Sequence, residues 1–308
     1  MIAGLALAAL MCSIQVAFAQ EAAKSADKKA VTKKSEAKQE DLKPRFWIFM
    51  GLPGGDKEKT NYTEAVNKLY DAAAERFGVE EKDIHVLFGK GLLKEDAEEK
   101  KNQPEEDYLY KPCNRRNLKA AMSDIVKKSA DGRPNVVIFI GHATAVRDSQ
   151  NANFNIVGPD IKASEIGNAL KHAKRTTPMG IIVATPLAER FIRPLRLRLR
   201  KTGEGRGCRS VIAACGKDEK TAWMEPEFSL LLPELFEEES SDLNGDGYLS
   251  WTEVFEGMDK RVEEFYKTEN YVRAEWAALD GDGNGRATIA PARADKDGGN
   301  RFKLKIQE

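Results

Sequence analysis

Apolar residues in this chain gather into short, dense runs separated by charged stretches with helical periodicity. Phe46 to Met50, Ile84 to Phe88, Val136 to Ile140, Met179 to Ala184 and Ser210 to Ala214 are β-branched or aromatic runs of five or six residues. Runs of this length that stop at Gly or a polar residue predict strands buried on both faces. Between them, Glu64 to Gly78 carries apolar residues at Val66, Leu69, Ala73 and Phe77, which predicts a helix ended by the glycine. Further helices are predicted over Asn114 to Ser129 and from Ser164 through EIGNALKHA. Residues 91–112 and 144–155 are polar and predict loops. Strand and helix alternate, and right-handed crossovers then require a mostly parallel sheet with helices on both faces.

Both ends of the chain differ from this body. Residues 1–19 form an apolar run ending Ala17-Phe18-Ala19 before Gln20, which predicts a secretory signal peptide cleaved at Ala19. A membrane anchor is the alternative, although it gains nothing from the small-x-small site. Residues 20–43 are Lys, Ala, Glu, Ser and Asp with almost no large apolar side chain, so a disordered linker is expected. The mature protein is therefore expected to be secreted or periplasmic, with no stable membrane insertion after cleavage. Residues 44–225 are assigned to the α/β domain, 226–290 to a helix-loop-helix segment packed on it, and 291–308 to a C-terminal tail.

Charge and cysteine content narrow the chemistry. Lys plus Arg equals Asp plus Glu at 49 each, so no overall field argues for a nucleic-acid partner. Leu195 to Arg200 alternates leucine with arginine, which reads as a solvated face with leucines inward or as a basic groove. After cleavage Cys113, Cys208 and Cys215 remain, an odd number whose spacing matches no zinc pattern. Cys208 and Cys215 are the closest pair for a disulfide.

Two stretches carry candidate chemistry. His142 follows the apolar run Val136 to Ile140 and Gly141, and ligands in open α/β sheets bind beyond the carboxyl ends of strands. A buried, hydrogen-bonded histidine is the alternative. The second stretch, Asp242 to Glu253, fits a twelve-residue EF-hand loop. A calcium ion needs six or seven oxygens on a curled backbone. Asp242, Asn244 and Asp246 supply them at positions one, three and five, Tyr248 gives a main-chain carbonyl at seven, Ser250 holds a water at nine, and Glu253 closes the site at twelve. Gly247 takes the sharp turn at six and Leu249 packs inward at eight. EPEFSLLLPELFEEE enters the loop and WTEVFEGMDKRVEEFY leaves it, both with helical patterns. A second loop, Asp280, Asp282 and Asn284 at positions one, three and five, has Pro291 at twelve and so lacks the closing carboxylate. It reads as a weak calcium site or a surface turn.

Taken together, the strand ending Gly141-His142, the stretch FNIVGPDIKASEIGNAL, the strand IIVATPLAERF and then VIAACGKDE resemble the caspase and legumain superfamily of cysteine peptidases, most closely its exported bacterial members that bear EF-hands. The resemblance covers roughly residues 44–285. It implies a three-layer sandwich in which one strand ends in a catalytic His and the next in a nucleophilic Cys. His142 falls on that His, and Thr185, in Ala184-Thr185-Pro186, falls on the Cys. A Thr hydroxyl needs a strong adjacent base to act as a nucleophile, and none is visible. Cys215, in Ala213-Ala214-Cys215-Gly216, ends the strand after the one required. The resemblance therefore implies a catalytically silent domain that binds calcium and holds a peptide or protein in its groove; the alternative is an active cysteine endopeptidase using His142 and Cys215.

Overall fold

The structure is a computed structural model that describes residues 42–94, 108–147, 149–197, 209–216, 227–290, 298–299 and 302–307. The expected signal peptide, nearly all of the linker, Cys208, Arg198, Arg200 and Pro291 lie outside the described residues. Among those described, no helix is long and apolar enough to cross a membrane.

In chain order, β1 (Arg45–Met50) leads to α1 (Asp56–Glu75), β2 (Ile84–Phe88), the short β3 (Leu92–Leu93) and β4 (Tyr108–Tyr110). Then come α2 (Arg115–Lys128), β5 (Asn135–Ile140), the short β6 (Ala143–Ala145), β7 (Ala152–Phe154) and β8 (Ile161–Lys162), and α3 (Ala163–Leu170). The chain continues through β9 (Met179–Ala184), α4 (Glu189–Leu195), β10 (Arg209–Ala213), α5 (Phe228–Glu237), β11 (Tyr248–Ser250), α6 (Trp251–Thr268), β12 (Ala278–Asp280) and β13 (Lys303–Lys305).

Six of these strands form one sheet in the order β12-β10-β9-β5-β1-β2, parallel throughout except for β12. Every residue of β1, β5 and β9 is buried, as the unbroken apolar runs predict for strands covered on both faces. From β1 the chain steps outward to β2, then returns to β5 and proceeds the other way to β9 and β10. The direction of winding therefore reverses between β1 and β5. Right-handed crossovers on opposite sides of that reversal put helices on opposite faces. The helix contacts agree: α1 packs with α5 and α5 with α6, while α2 packs with α3 and α3 with α4. This is the expected α/β architecture, a mostly parallel sheet between two helical layers.

Local chemistry sets the element ends. Asn114 caps α2 by accepting a hydrogen bond from the Asn117 amide at 2.9 Å, and Leu118, Met122 and Ile125 form its buried stripe. At the opposite end of the sheet, Arg45 is 6 % exposed. Its guanidinium bonds Asp83 at 3.3 Å and pairs with Asp131, while Arg133 reaches the other Asp83 oxygen at 2.8 Å. Burial alone would raise the Asp83 pKa, but Arg133 and Arg45 outweigh it and hold the carboxyl below its ordinary value.

Several features depart from the sequence reading. The helix predicted over Glu64 to Gly78 starts eight residues earlier, at Asp56, because its first six residues are polar and carry no apolar signal; Asp56 and Glu58 instead favour its N-terminus. The stretch 91–112, read as loop, contains the paired β3 and β4, and 144–155 contains β7, which pairs with β6. The segment 226–290 also contributes β12 to the main sheet, antiparallel to β10. Within the stretch assigned to the tail, β13 pairs antiparallel with β11 inside the candidate calcium loop.

Candidate functional site

The carboxyl ends of β5, β9 and β10 bring the three candidate catalytic residues to one edge. Parallel register aligns Ile140 with Ala184 and Val183 with Ala213. Thr185 is therefore level with Gly141, and Cys215 with Thr185. The reversal between β1 and β5 is closed tightly by Gly141, at φ 127°. A Cβ at Gly141 would stand 3.2 Å from the Gly51 nitrogen, and one at Gly51 would stand 2.4 Å from the Asn155 carbonyl oxygen. Only glycines fit that crossing. Asn155 also accepts from Leu52 and donates to the His142 carbonyl at 3.0 Å, so the backbone around His142 is fixed on two sides.

The imidazole of His142 is partly buried, and burial pushes its pKa below the ordinary value, with Asp160 opposing the shift. It is thus mainly neutral at pH 7, the state a general base needs. Thr185 offers it little. That side chain is fully buried, and its hydroxyl donates to the Pro186 carbonyl at 3.0 Å. Cys215 is 1 % exposed and its thiol donates to the Thr185 carbonyl at 3.3 Å. Two strand spacings separate β5 from β10, so the backbones of His142 and Cys215 stand about 10 Å apart. Cys113 is also a buried thiol, pushed above its ordinary pKa by desolvation.

The second place is the loop between α5 and α6. Asp242 accepts on Oδ1 from the Gly245 and Asp246 amides at 2.8 and 3.2 Å, and on Oδ2 from Gly247 at 2.8 Å. Asn244 Oδ1 accepts from Asp246 at 2.9 Å, and Asp246 Oδ1 from Tyr248 at 3.0 Å. Gly245 and Gly247 have positive φ. Each side chain at positions one, three and five thus curls the backbone that follows it. Leu249 is fully buried, as the pattern requires. Ser250 caps α6 by accepting from the Glu253 amide at 3.2 Å, and Glu253 Oε2 accepts from Ser250 at 2.8 Å, a reciprocal capping box. The other Glu253 oxygen reaches back to the Asn244 side-chain amide at 2.8 Å. Glu253 is 4 % exposed. It therefore ties position twelve to positions three and nine.

Three groups that the sequence did not single out frame this loop. Lys303 on β13 donates to Asp246 Oδ2 at 2.7 Å. Arg76, on the residue after α1, donates to the carbonyls of Leu235 and Phe236 at 3.2 and 2.8 Å and to Ser241 Oγ at 2.9 Å, closing α5 just before the loop. Glu275 accepts from the Glu227 amide at 3.0 Å and the Tyr266 hydroxyl at 3.3 Å, joining the chain beyond α6 to the start of α5. No periodicity marks such long-range polar anchors. As the loop stands, Asp242 is satisfied by backbone amides and Asp246 and Glu253 by Tyr248, Lys303, Asn244 and Ser250, and among the described residues no three His, Cys, Asp or Glu side chains converge as a metal cluster.

The second loop repeats the turn. Asp280, fully buried at the end of β12, accepts from Asn284 at 3.0 Å and Gly285 at 2.8 Å; Asp282 accepts from Asn284 at 3.1 Å, and Asn284 from Arg286 at 2.7 Å. Through position seven its hydrogen bonds follow those of the first loop.

No protein-family model and no curated protein matches the chain. Solved structures do. The Drosophila initiator caspase Dronc aligns over 78 % of this chain and 80 % of its own, at 7 % identity and a TM-score of 0.43. A secreted C11 cysteine protease from Bacteroides thetaiotaomicron, solved with an irreversible peptide inhibitor, aligns over 78 % of this chain and 66 % of its own, at 11 % identity and a TM-score of 0.40. A protein from Geobacter sulfurreducens aligns over 71 % and 89 %, at 11 % identity and a TM-score of 0.40. Likeness at this level carries nothing about chemistry.

Proposed function

We propose that the chain is an exported calcium-binding protein whose α/β domain serves as a scaffold for binding a peptide or protein and is catalytically silent. The observation that carries the reading is the loop Asp242 to Glu253. It sets an all-oxygen donor set on a backbone already curled between two helices. Those donors fit a hard cation: Asp242, Asn244, Asp246 and Glu253 through side chains, Tyr248 through its carbonyl and Ser250 through a water. Calcium supplies no reaction here. It replaces the ties that Asn244 and Lys303 make to Glu253 and Asp246, and so joins the end of α5 to the start of α6 more firmly.

The silent reading rests on Thr185 and Cys215. A buried Thr hydroxyl that donates to the next carbonyl is poorly placed for attack, and a buried thiol two strands from His142 is poorly placed for activation. Incubating the protein with a library of fluorogenic peptides, with and without calcium, should give no turnover. Cleavage abolished by both His142→Ala and Cys215→Ala would establish the peptidase instead.

For calcium, the expected affinity is that of extracellular modules, about 10⁻⁴ to 10⁻³ M. An ion at ten times its Kd, bound only to the native state, adds about 1.4 kcal/mol. Thermal unfolding should then move upward by a few degrees. Glu253→Gln should erase most of that shift, whereas Asn284→Ala should leave it in place. Equal shifts in wild type and Glu253→Gln would remove the ion from this loop.

A further inference from the structure

Outside the three candidate catalytic residues and the candidate calcium loop, helices α3 and α4 border a cleft of about 620 Å³. That volume lies within the ~300–1,000 Å³ of small-molecule sites. Among the described residues, Lys171, Arg190, Arg193, Arg196 and Arg286 line it against a single acid, Glu189. Five cations and one carboxylate give the cleft a formal +4 in a chain whose net charge is zero. Lys171, Arg193, Arg196 and Arg286 are exposed, and among the described residues no carboxylate pairs with any of these four.

The walls are fixed by packing. Gly167 on α3 sits directly under α4, since a Cβ there would stand 2.1 Å from the Pro194 carbonyl oxygen. Arg190 donates to the Ser149 carbonyl at 3.3 Å, and the Asn151 amide donates to Ser164 at 2.7 Å, which holds one end. At the other end Arg196 packs on Gly285 of the second Asp/Gly loop, its Cδ 2.8 Å from where a Cβ would be. Like charges held together by such walls repel, and an anion that neutralises them gains what they lose.

From this geometry we infer that the cleft binds a small ligand carrying two or more linked phosphate groups. Four of the five cations are arginines, whose planar forks suit phosphate oxygens in pairs. Among the described residues no aromatic side chain lines the cleft, so none of them offers a nucleobase a ring to stack on. An acidic peptide fits less well. Its usual docking mode adds a strand to a sheet edge, whereas this cleft is walled by helices and turns. An extended peptide also turns alternate side chains away, so its carboxylates reach the cleft at half their density. The inference stands apart from the calcium reading and does not depend on it.

The test is calorimetric titration with sodium tripolyphosphate in buffer containing EDTA, so that calcium plays no part. Wild type should bind one tripolyphosphate, and binding should weaken at least tenfold in Arg193→Glu/Arg196→Glu. Lys119→Glu, an exposed charge reversal on α2, should bind as wild type does. Melting of the free variants checks their fold, and Arg193→Ala/Arg196→Ala provides the milder change, expected to weaken binding severalfold. No binding by wild type, or equal binding by the charge-reversed variant, would overturn the site. An oligoglutamate peptide that binds more tightly than tripolyphosphate would overturn the ligand class.

Discussion

Replacing Trp251 with alanine should remove about 3–5 kcal/mol of folding stability, the range for large aromatic side chains in cores. Trp251 is the first residue of α6, directly after the loop position that holds Ser250. It is fully buried, lies edge-to-face on Phe302 at 4.3 Å between ring centroids, and donates its amide to the Phe302 carbonyl at 3.0 Å. Both rings rest on Gly180, the second residue of β9. A Cβ at Gly180 would stand 2.4 Å from the Trp251 ring and 2.6 Å from that of Phe302. The candidate calcium loop is thus pinned through its exit helix to a central strand of the sheet. Gly180→Val should cost about 1–3 kcal/mol by overpacking the same contact. Trp251→Phe should cost less than Trp251→Ala, because it keeps a ring and removes an indole N–H that is buried without a hydrogen-bond partner among the described residues. Urea unfolding measures all three. A loss below about 1 kcal/mol for Trp251→Ala would show that the helix is held elsewhere.

The second large effect is a pH dependence centred on Glu275. Burial pushes its carboxyl up to about 7, against hydrogen bonds from Glu227, Phe228 and Tyr266 that favour the charged form. One carboxylate oxygen is buried with no hydrogen-bond partner among the described residues. The protonated acid therefore suits the fold better than the carboxylate does. Because the folded pKa lies above the unfolded value near 4.3, the stabilisation is fully present below that value. It is lost as pH rises through about 7. The loss amounts to about 4 kcal/mol at roughly 1.4 kcal/mol per unit. Glu275→Gln keeps an acceptor for Glu227 and Tyr266 but cannot ionise, so its stability should vary far less between pH 5 and 8, and it should exceed wild type at pH 8. Unfolding curves at four pH values for both proteins settle the matter. Parallel profiles would mean that Glu275 is charged in the fold at little cost.

The sheet was legible in the sequence where burial on both faces leaves no polar residue to interrupt a run. Strands β1, β5 and β9 are such runs. Strand β12 was not legible, since its three residues Ala278 to Asp280 run straight into an Asp/Gly turn and pair with β10 from a distant part of the chain. Strand β13 hid for the same reason, its partner lying inside the candidate calcium loop. The candidate calcium ligands could be read in order because all of them come from one twelve-residue turn. His142, Thr185 and Cys215 come from three strands, and their relation depends on a register that spacing along the chain does not reveal. Buried charges such as Glu275, Arg76 and Arg209 carry no periodic signal at all. Arg209, 3 % exposed, donates to the carbonyls of Leu195 and Leu170 at 2.9 and 3.0 Å, and burial lowers its pKa to about 10.

Calorimetric titration of calcium into the metal-free protein, beside Glu253→Gln and Asn284→Ala, tests the proposed function most directly. The account predicts one ion bound by wild type and by Asn284→Ala with the millimolar to submillimolar affinity of extracellular loops, and binding at least tenfold weaker in Glu253→Gln. Wild type that binds no calcium at several millimolar, or a Glu253→Gln variant that binds as wild type does, would contradict it.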